Sequence, residues 1–409
     1  MVKALLKIFI LFLLIFTFFG FILKEEWGFF AHKKINRMAV FTLPPEMQYF
    51  FKPNIEYITE HSTDPDKLKF TNNIEGIRHF IDIDSWGVYP FDSLPRTWIG
   101  VMEKYCEIYI ETDDKSSLLF GPGINIIKND SVFANLYHCS LKDYRSFIAE
   151  KIAFKILTEK IEFPVDTLEK WLNIKLNNIT YSKITVKENF SQEGILPYYL
   201  YEHYKSLVRA MKVKDAKKIL RLSTHFGHYI GDAHVPLHTT RNYNGQLTNQ
   251  VGIHAFWENS VPELLCEPEF DFFVGKAEYI KNVRDFFWNI VLKSHSLKND
   301  VLRADSIVNL SIPDEKKFVF RERNGTVVRL QSELLIKAFD RELKNMVETR
   351  MRNAIKALGD IWYTAWIDAG QPDLRDISPV KWTQEEIEEQ ENLLKNPGSG
   401  ILHGCGVEH

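Results

Sequence analysis

The stretch Thr224–Thr240, "THFGHYIGDAHVPLHTT", narrows what this chain can fold into more than any other part of it. It holds His225, His228, His234, His238 and Asp232, in a chain with only 13 histidines among 409 residues. Its flanks have the apolar periodicity of a helix, so these polar rings belong to an interior. A buried imidazole needs a partner at each nitrogen, and burying several together is costly unless something cationic or acidic takes up their lone pairs. On a helix His228 and Asp232, at i and i+4, project from one face about one turn apart, with His225 on a neighbouring line. Pro236 ends that helix and leaves His238 in the turn, free to swing back toward the same point. A second i, i+4 pair follows at His254 and Glu258 in "GIHAFWENS". One such pair alone reads as a His–carboxylate hydrogen bond. Two of them, each with a route to another histidine, are what nitrogen and oxygen coordination of zinc requires.

Most of the remaining chain repeats apolar residues at three- and four-residue spacing, as in "YLYEHYKSLVRAMKVKDAKKILRLSTHFGHYIGDA". Short alternating pieces such as "FVFRERNGTVVRLQ" read as one hairpin, with Asn324-Gly325 at its turn. No repeat period and no Gly/Ser linker divides the middle, so the expected architecture is all-α: a single large multi-helix domain with a small β-hairpin. That domain is expected over 27–390, with a flexible tail over 391–409. A net charge of −3 advertises no basic face for duplex nucleic acid. The four cysteines stand far apart with no CxxC, which indicates neither a zinc ribbon nor a disulfide scaffold.

The first 26 residues have their own character. Lys3 and Lys7 precede an apolar run from Ile8 to Leu23, the layout of a secretory signal. The run over 5–23 also approaches the ~20 residues a bilayer span requires. The expectation is export, to a secreted or periplasmic location, or attachment to a membrane by 5–23. No small-x-small cleavage site precedes Trp27.

Further candidate ligands lie upstream: His32 on the apolar side of the first helix, then His61, Asp64, Asp66, His79, Asp82 and Asp84 in "EHSTDPDKLKFTNNIEGIRHFIDID". In order, the chain carries Trp-Gly-x-x-x-His, Asp…His-Phe-Ile-Asp, His-x-x-x-Asp-x-x-x-Pro-Leu-His and His-x-x-x-Glu. This series resembles the trinuclear zinc phosphodiesterases, the bacterial zinc-dependent phospholipases C and the fungal single-strand-specific nucleases. The resemblance runs from Trp27 to about Glu263, interrupted by an insert over about 97–193 that matches no motif.

The resemblance implies a ligand set. One zinc would take Asp64, His79, His228 and Asp232, and a second His238, His254 and Glu258. A third would take His32, bridging Asp232, and the amine and carbonyl of an N-terminal Trp27. Asp64 is preferred to Asp66 for its spacing to His79, with Asp66 as the fallback. His61, His225 and His234 match no ligand position. Three Zn2+ are expected, or two if Trp27 is not the first residue of the mature chain.

The implied activity is hydrolysis of a phosphodiester by metal-activated hydroxide, with Asp64 and Asp232 at the catalytic centre. Glu258 and the short His238–His254 interval are similar to the phospholipase branch, whereas the short Trp27–His32 interval is similar to the nuclease branch. The preferred substrate is a phospholipid or related phosphodiester, with single-stranded nucleic acid as the alternative. Phe29, Phe30, Phe256 and Trp257 are candidates for an apolar floor or, equally, for core. A reading from another class is a membrane-anchored binding protein in which zinc is a structural staple.

Overall fold

From Leu222 to His234 every residue of the helix Ala216–His234 is buried, so this segment is wrapped on all sides rather than laid on a surface. Asp215 starts it by accepting the Lys218 amide, and Pro236 just beyond prevents its continuation. The structure is a computed structural model that describes residues 29–69, 73–112, 115–153, 155–176, 183–323 and 326–395. In chain order its main helices are α1 (Phe29–Ala39), α2 (Asp64–Leu68), α3 (Trp98–Tyr105), α4 (Leu196–Lys212), α5 (Ala216–His234), α6 (Val283–Ser311) and α7 (Met346–Asp368). Helix α5 is the axis, packed by α1, α4, α6 and α7.

Two glycines let α1 come close to α5. A Cβ at Gly227 would stand 1.4 Å from Asn36 Oδ1, and one at Gly231 would stand 2.7 Å from His32 Nδ1. The Asn36 amide fills the space above Gly227 and donates to the carbonyls of Ile58 (3.0 Å) and Thr224 (2.9 Å). Close approach therefore sets the position of His32, one turn from Asn36 on the same face of α1.

The fold is mostly helical, but the expectation of a single hairpin was too narrow. Nine strands form three small sheets among the described residues. Phe318–Arg323 and Thr326–Gln331 pair as the expected hairpin, whose turn residues Asn324 and Gly325 lie outside the described residues. The other strands all fall in the insert. Glu107–Glu111 lies between Ser116–Phe120 and Lys183–Lys187, and Ile161–Phe163 adds to the latter, all antiparallel. A separate three-stranded meander spans 126–140. The alternation of Ile108 and Ile110, and of Ile184 and Val186, buries one face of the four-stranded sheet. Buried apolar residues form one continuous cluster through bundle and insert alike.

The hydrophobic N-terminal run and Trp27 lie outside the described residues. Among those described, no helix is long and apolar enough to cross a membrane. A C-terminal helix, Gln384–Lys395, extends past Asn392, into the stretch expected to be loose chain.

Gly227→Ala tests the close approach. Alanine gains about 1 kcal/mol of helix propensity, yet its methyl must expel the Asn36 amide from two buried hydrogen bonds worth about 1 kcal/mol each and strain the packing. The expected net result is a loss of about 2 kcal/mol, read as a lower denaturant midpoint.

Candidate metal centre

The α5 face carries His228 and Asp232 inward from the helix, and three other segments close around them. α1 brings His32. The segment after α2 brings His79. The turn Pro236–Thr239 brings His238, and the π-helical turn Phe256–Ser260 that follows Ile253–Ala255 brings Glu258 opposite His254. The Pro236–Thr239 turn is pinned from α6, where Ser294 Oγ donates to the Ala233 carbonyl (2.6 Å) and His295 Nδ1 to the Thr239 carbonyl (2.9 Å). It is also tied to the His79 segment from both sides. His238 Nδ1 donates to the His79 carbonyl (2.7 Å), and the Ile81 amide donates to the His238 carbonyl (3.0 Å).

Four overlapping groups result, each with its donor atoms within 4.8 Å of one another: His79, His228 and Asp232; His32, Asp66 and His228; His32, Asp232 and Glu258; and His238, His254 and Glu258. Asp232 is shared. Its Oδ2 lies 2.9 Å from His79 Nδ1 and 3.4 Å from His228 Nε2, while its Oδ1 lies 3.5 Å from His32 Nε2. Glu258 likewise spans His254 Nε2 (2.7 Å) and His32 Nε2 (3.3 Å).

The hydrogens available do not match the acceptors. His228 donates Nδ1–H to the Ser62 carbonyl (3.0 Å), and His238 donates its own to the His79 carbonyl, so in the neutral rings both Nε2 atoms are lone pairs. His228 Nε2 points at His79 Nδ1 (3.0 Å), and His238 Nε2 at His254 Nε2 (2.9 Å). With three carboxylates among them, these nitrogens need extra protons or a cation. One divalent ion that accepts nitrogen and oxygen donors satisfies several at once, and the donor set fits it.

The titration of the groups reflects the same excess of acceptors. Burial alone would raise Asp232, Asp66 and Glu258, but the imidazoles facing them, joined at Asp66 by the Lys69 ammonium, outweigh it and hold all three below the ordinary carboxylate range. Burial alone would lower His238, yet the Asp232 and Glu258 carboxylates lift it to about 9. His228 is pushed down by burial and by His32, whose ring stacks on it at 4.0 Å.

Of the expected ligands, the structure brings together His32, His79, His228, Asp232, His238, His254 and Glu258. It does not bring Asp64 to them. Asp64 accepts from His61 Nδ1 (2.7 Å) and Lys67 Nζ (3.2 Å), and its charge faces His225. Residues two apart on a helix point about 200° apart, so α2 can turn only one of its two aspartates inward. Asp66 is that one, 3.5 Å from His228 Nε2 and 3.8 Å from His79 Nδ1. His234 turns away, donating to the Ile230 carbonyl (2.8 Å). His225 is buried and pushed down to about 3, chiefly by that burial.

No protein-family model and no curated protein matches the chain.

Two residues at the site escaped the sequence reading. Lys69 Nζ lies 2.5 Å from Asp66 Oδ1, a fixed cation at the cluster's edge that no spacing announces. Glu75 is buried, with Oε1 3.5 Å from His79 Nε2 and Oε2 accepting from Arg78 (2.6 Å), and it also takes the Tyr229 hydroxyl. Glu75 and His79 stand four apart in sequence, so the signal that found His228–Asp232 was present here too.

The orientation of His79, Nδ1 inward and Nε2 toward a carboxylate, is the arrangement by which an outer carboxylate fixes a metal-binding imidazole. If the cluster holds a divalent metal, Glu75→Gln is expected to weaken its retention about 10- to 100-fold in a competition titration against a chromophoric chelator. Asp66→Ala is expected to weaken it comparably, whereas Asp64→Ala leaves it unchanged. Equal losses for Asp64→Ala and Asp66→Ala would contradict the assignment.

Proposed function

We propose that the cluster binds at least two zinc ions and that the protein is a zinc-dependent phosphodiester hydrolase. The observation that carries this reading is the convergence of five imidazoles and the carboxylates of Asp66, Asp232 and Glu258 in overlapping groups around a shared Asp232. Zinc bound there would supply a water acidified to near neutrality and positive charge for the phosphoryl oxygens. The chain's own residues supply the rest. Asp232, facing both halves of the cluster, sets the separation of the ligand groups. Glu75 and the Ser62 and His79 carbonyls hold the imidazoles in the orientation that turns lone pairs inward. The ammonium of Lys69, beside Asp66, is placed to offset anionic charge approaching the rim. With metal-activated water as the attacking group, no side-chain nucleophile is required.

On substrate, two observations bear. Phe256 and Trp257 are core: both are buried, and Phe256 stacks on Phe339 at 4.3 Å. They give no apolar floor for a diacylglycerol, which removes part of the support for a phospholipase C-like activity. Tyr243, in the polar loop after His238, is instead half exposed with its ring 6.2 Å from that of His254. An exposed aromatic beside the ligands is what stacking of a nucleobase uses, which favours the alternative, a single-strand-specific nuclease. The phospholipase reading keeps the support of Glu258 and of the short His238–His254 interval, while the short Trp27–His32 interval supports the nuclease.

Metal analysis and a generic substrate test the core of the proposal. Zinc-replete protein is expected to hold two or more zinc ions and to hydrolyse bis-p-nitrophenyl phosphate until a chelator is added. Asp232→Ala is expected to abolish turnover and release more than one zinc. Full metal loading with no turnover would leave only the structural-staple reading.

Parallel assays on phosphatidylcholine micelles, single-stranded DNA and RNA separate the two substrates. Tyr243→Ala is expected to lower the rate on nucleic acid by about 5- to 150-fold, corresponding to a stacking contribution of about 1–3 kcal/mol. The same change is expected to leave bis-p-nitrophenyl phosphate hydrolysis unaltered. A nucleic-acid rate unaffected by Tyr243→Ala would remove the stacking argument.

A further inference from the structure

Away from the cluster, a cleft of about 1000 Å3 opens where the insert meets the bundle. One wall is α3 and the residues just before it, and the other is α4 with the start of α6. Helix α4 offers different faces to the two sites. Tyr199 and His203 pack on Tyr229 of α5, whereas Tyr198, Tyr201 and Lys205 line the cleft.

The charged side chains lining this cleft do not balance. Its two carboxylates are both engaged, Glu103 with Arg145 (3.0 Å) and Glu202 with Lys205 (2.5 Å). Three further cations, Arg96, Lys104 and Arg284, form no ion pair among the described residues. Arg96 donates to the carbonyls of Pro90 (3.3 Å) and Phe91 (3.2 Å), lies over Trp288 (4.4 Å), and keeps Nη1 buried with no hydrogen-bond partner. Lys104 donates to the Ser93 carbonyl (2.7 Å). Arg284 lies over the ring of Tyr201 (4.4 Å), and Lys104 over that of Tyr105 (5.2 Å). Unpaired cations held on aromatic faces, at the edge of a wide and largely apolar cleft, suit a ligand with a flat body and an anionic head.

We propose that this cleft binds a small organic anion carrying an aromatic ring, of the aryl phosphate class. The ring lies against the tyrosine-lined walls and the anionic group lies toward Lys104 and Arg284. The proposal is independent of the metal centre and of its chemistry.

The test is calorimetric titration of the zinc-replete full chain with 1-naphthyl phosphate, with inorganic phosphate and 1-naphthol as separate arms. One binding event per chain is expected to weaken at least about tenfold in the Lys104→Ala/Arg284→Ala double variant, the loss of a charge-assisted contact. Zinc content and melting temperature are expected to match the wild type. Arg284→Lys, which keeps the charge, is expected to retain binding within a few-fold. Should the double variant melt early, Lys104→Gln and Arg284→Gln are titrated singly, each expected to weaken the same event. Titration curves that superimpose for wild type and variants would place all binding elsewhere, the metal centre included, and overturn the proposal. So would an absence of binding, or inorganic phosphate binding as tightly as its naphthyl ester.

Discussion

Acceptors outnumber hydrogens at the centre of this molecule, and much of the surrounding structure serves that imbalance. Asp232 and His228 are buried on α5, and a buried carboxylate or lone pair without a partner costs several kilocalories per mole. The surroundings answer with geometry. Ser62 and His79 present carbonyls that take the outer hydrogens of His228 and His238, and Glu75 stands behind His79. What remains inside is a set of lone pairs and carboxylates turned toward one another. A fold that only needed a stable core would have filled this space with apolar side chains, which replace buried ionic groups at little or no cost in stability.

Holding such groups in place requires a rigid frame, and the frame explains residues far from the cluster. Arg350, buried on α7, donates to the His234 carbonyl (2.9 Å) and to Ser294 Oγ (2.5 Å), whose hydroxyl in turn holds the Ala233 carbonyl. These bonds satisfy the end of α5, where helical carbonyls lose their intrahelical partners. They also fix the angle at which the chain leaves for His238. Trp362 on α7 donates to the Ser223 carbonyl (3.2 Å), and Asn36 on α1 to that of Thr224, so both neighbours grip the same turn of α5. The two glycines opposite α1 complete the arrangement by removing bulk where His32 and Asn36 must enter.

How much of this was legible in the sequence follows from the range of each interaction. The i, i+4 pairs on α5 and around His254 are local, and the helical period placed them on one face before any tertiary structure was considered. The convergence of His32 and His79 is not local and rested on the resemblance of ordered motifs. The choice between Asp64 and Asp66 used spacing to His79 alone, and spacing does not show which of the two faces the cluster; in the structure Asp66 does. A short helix at the two aspartates reverses which one points inward, and Pro65 as its first-turn residue was the available hint. Lys69 carried no signal, since a lysine near an aspartate is ordinary. The insert's sheets were overlooked for a different reason. Their strands are three to five residues long, as in "EIYIE" and "KITVK", too short for alternation to stand out beside longer helical periods.

The insert also shows why a segment without motifs need not be passive. Its α3 packs onto the bundle through Trp98 against Tyr198, while the Tyr198 hydroxyl bonds back to the Pro95 carbonyl (2.7 Å). Trp288 on α6 closes the same contact through the Arg96 carbonyl (3.1 Å). These are core-like interactions, so the insert is fixed to the bundle rather than tethered to it. Because α4 is the wall common to both sides, the aromatic rings that seat the insert adjoin, through Tyr199, the Tyr229 hydroxyl that holds Glu75. A substitution in the insert that shifts α4 would therefore reach the inward-facing imidazole of His79 through two packed tyrosines and one carboxylate. This is a contiguous physical route, and under the proposed function a change of zinc affinity on mutating Tyr198 or Trp98 is the measurement that would show it carries energy.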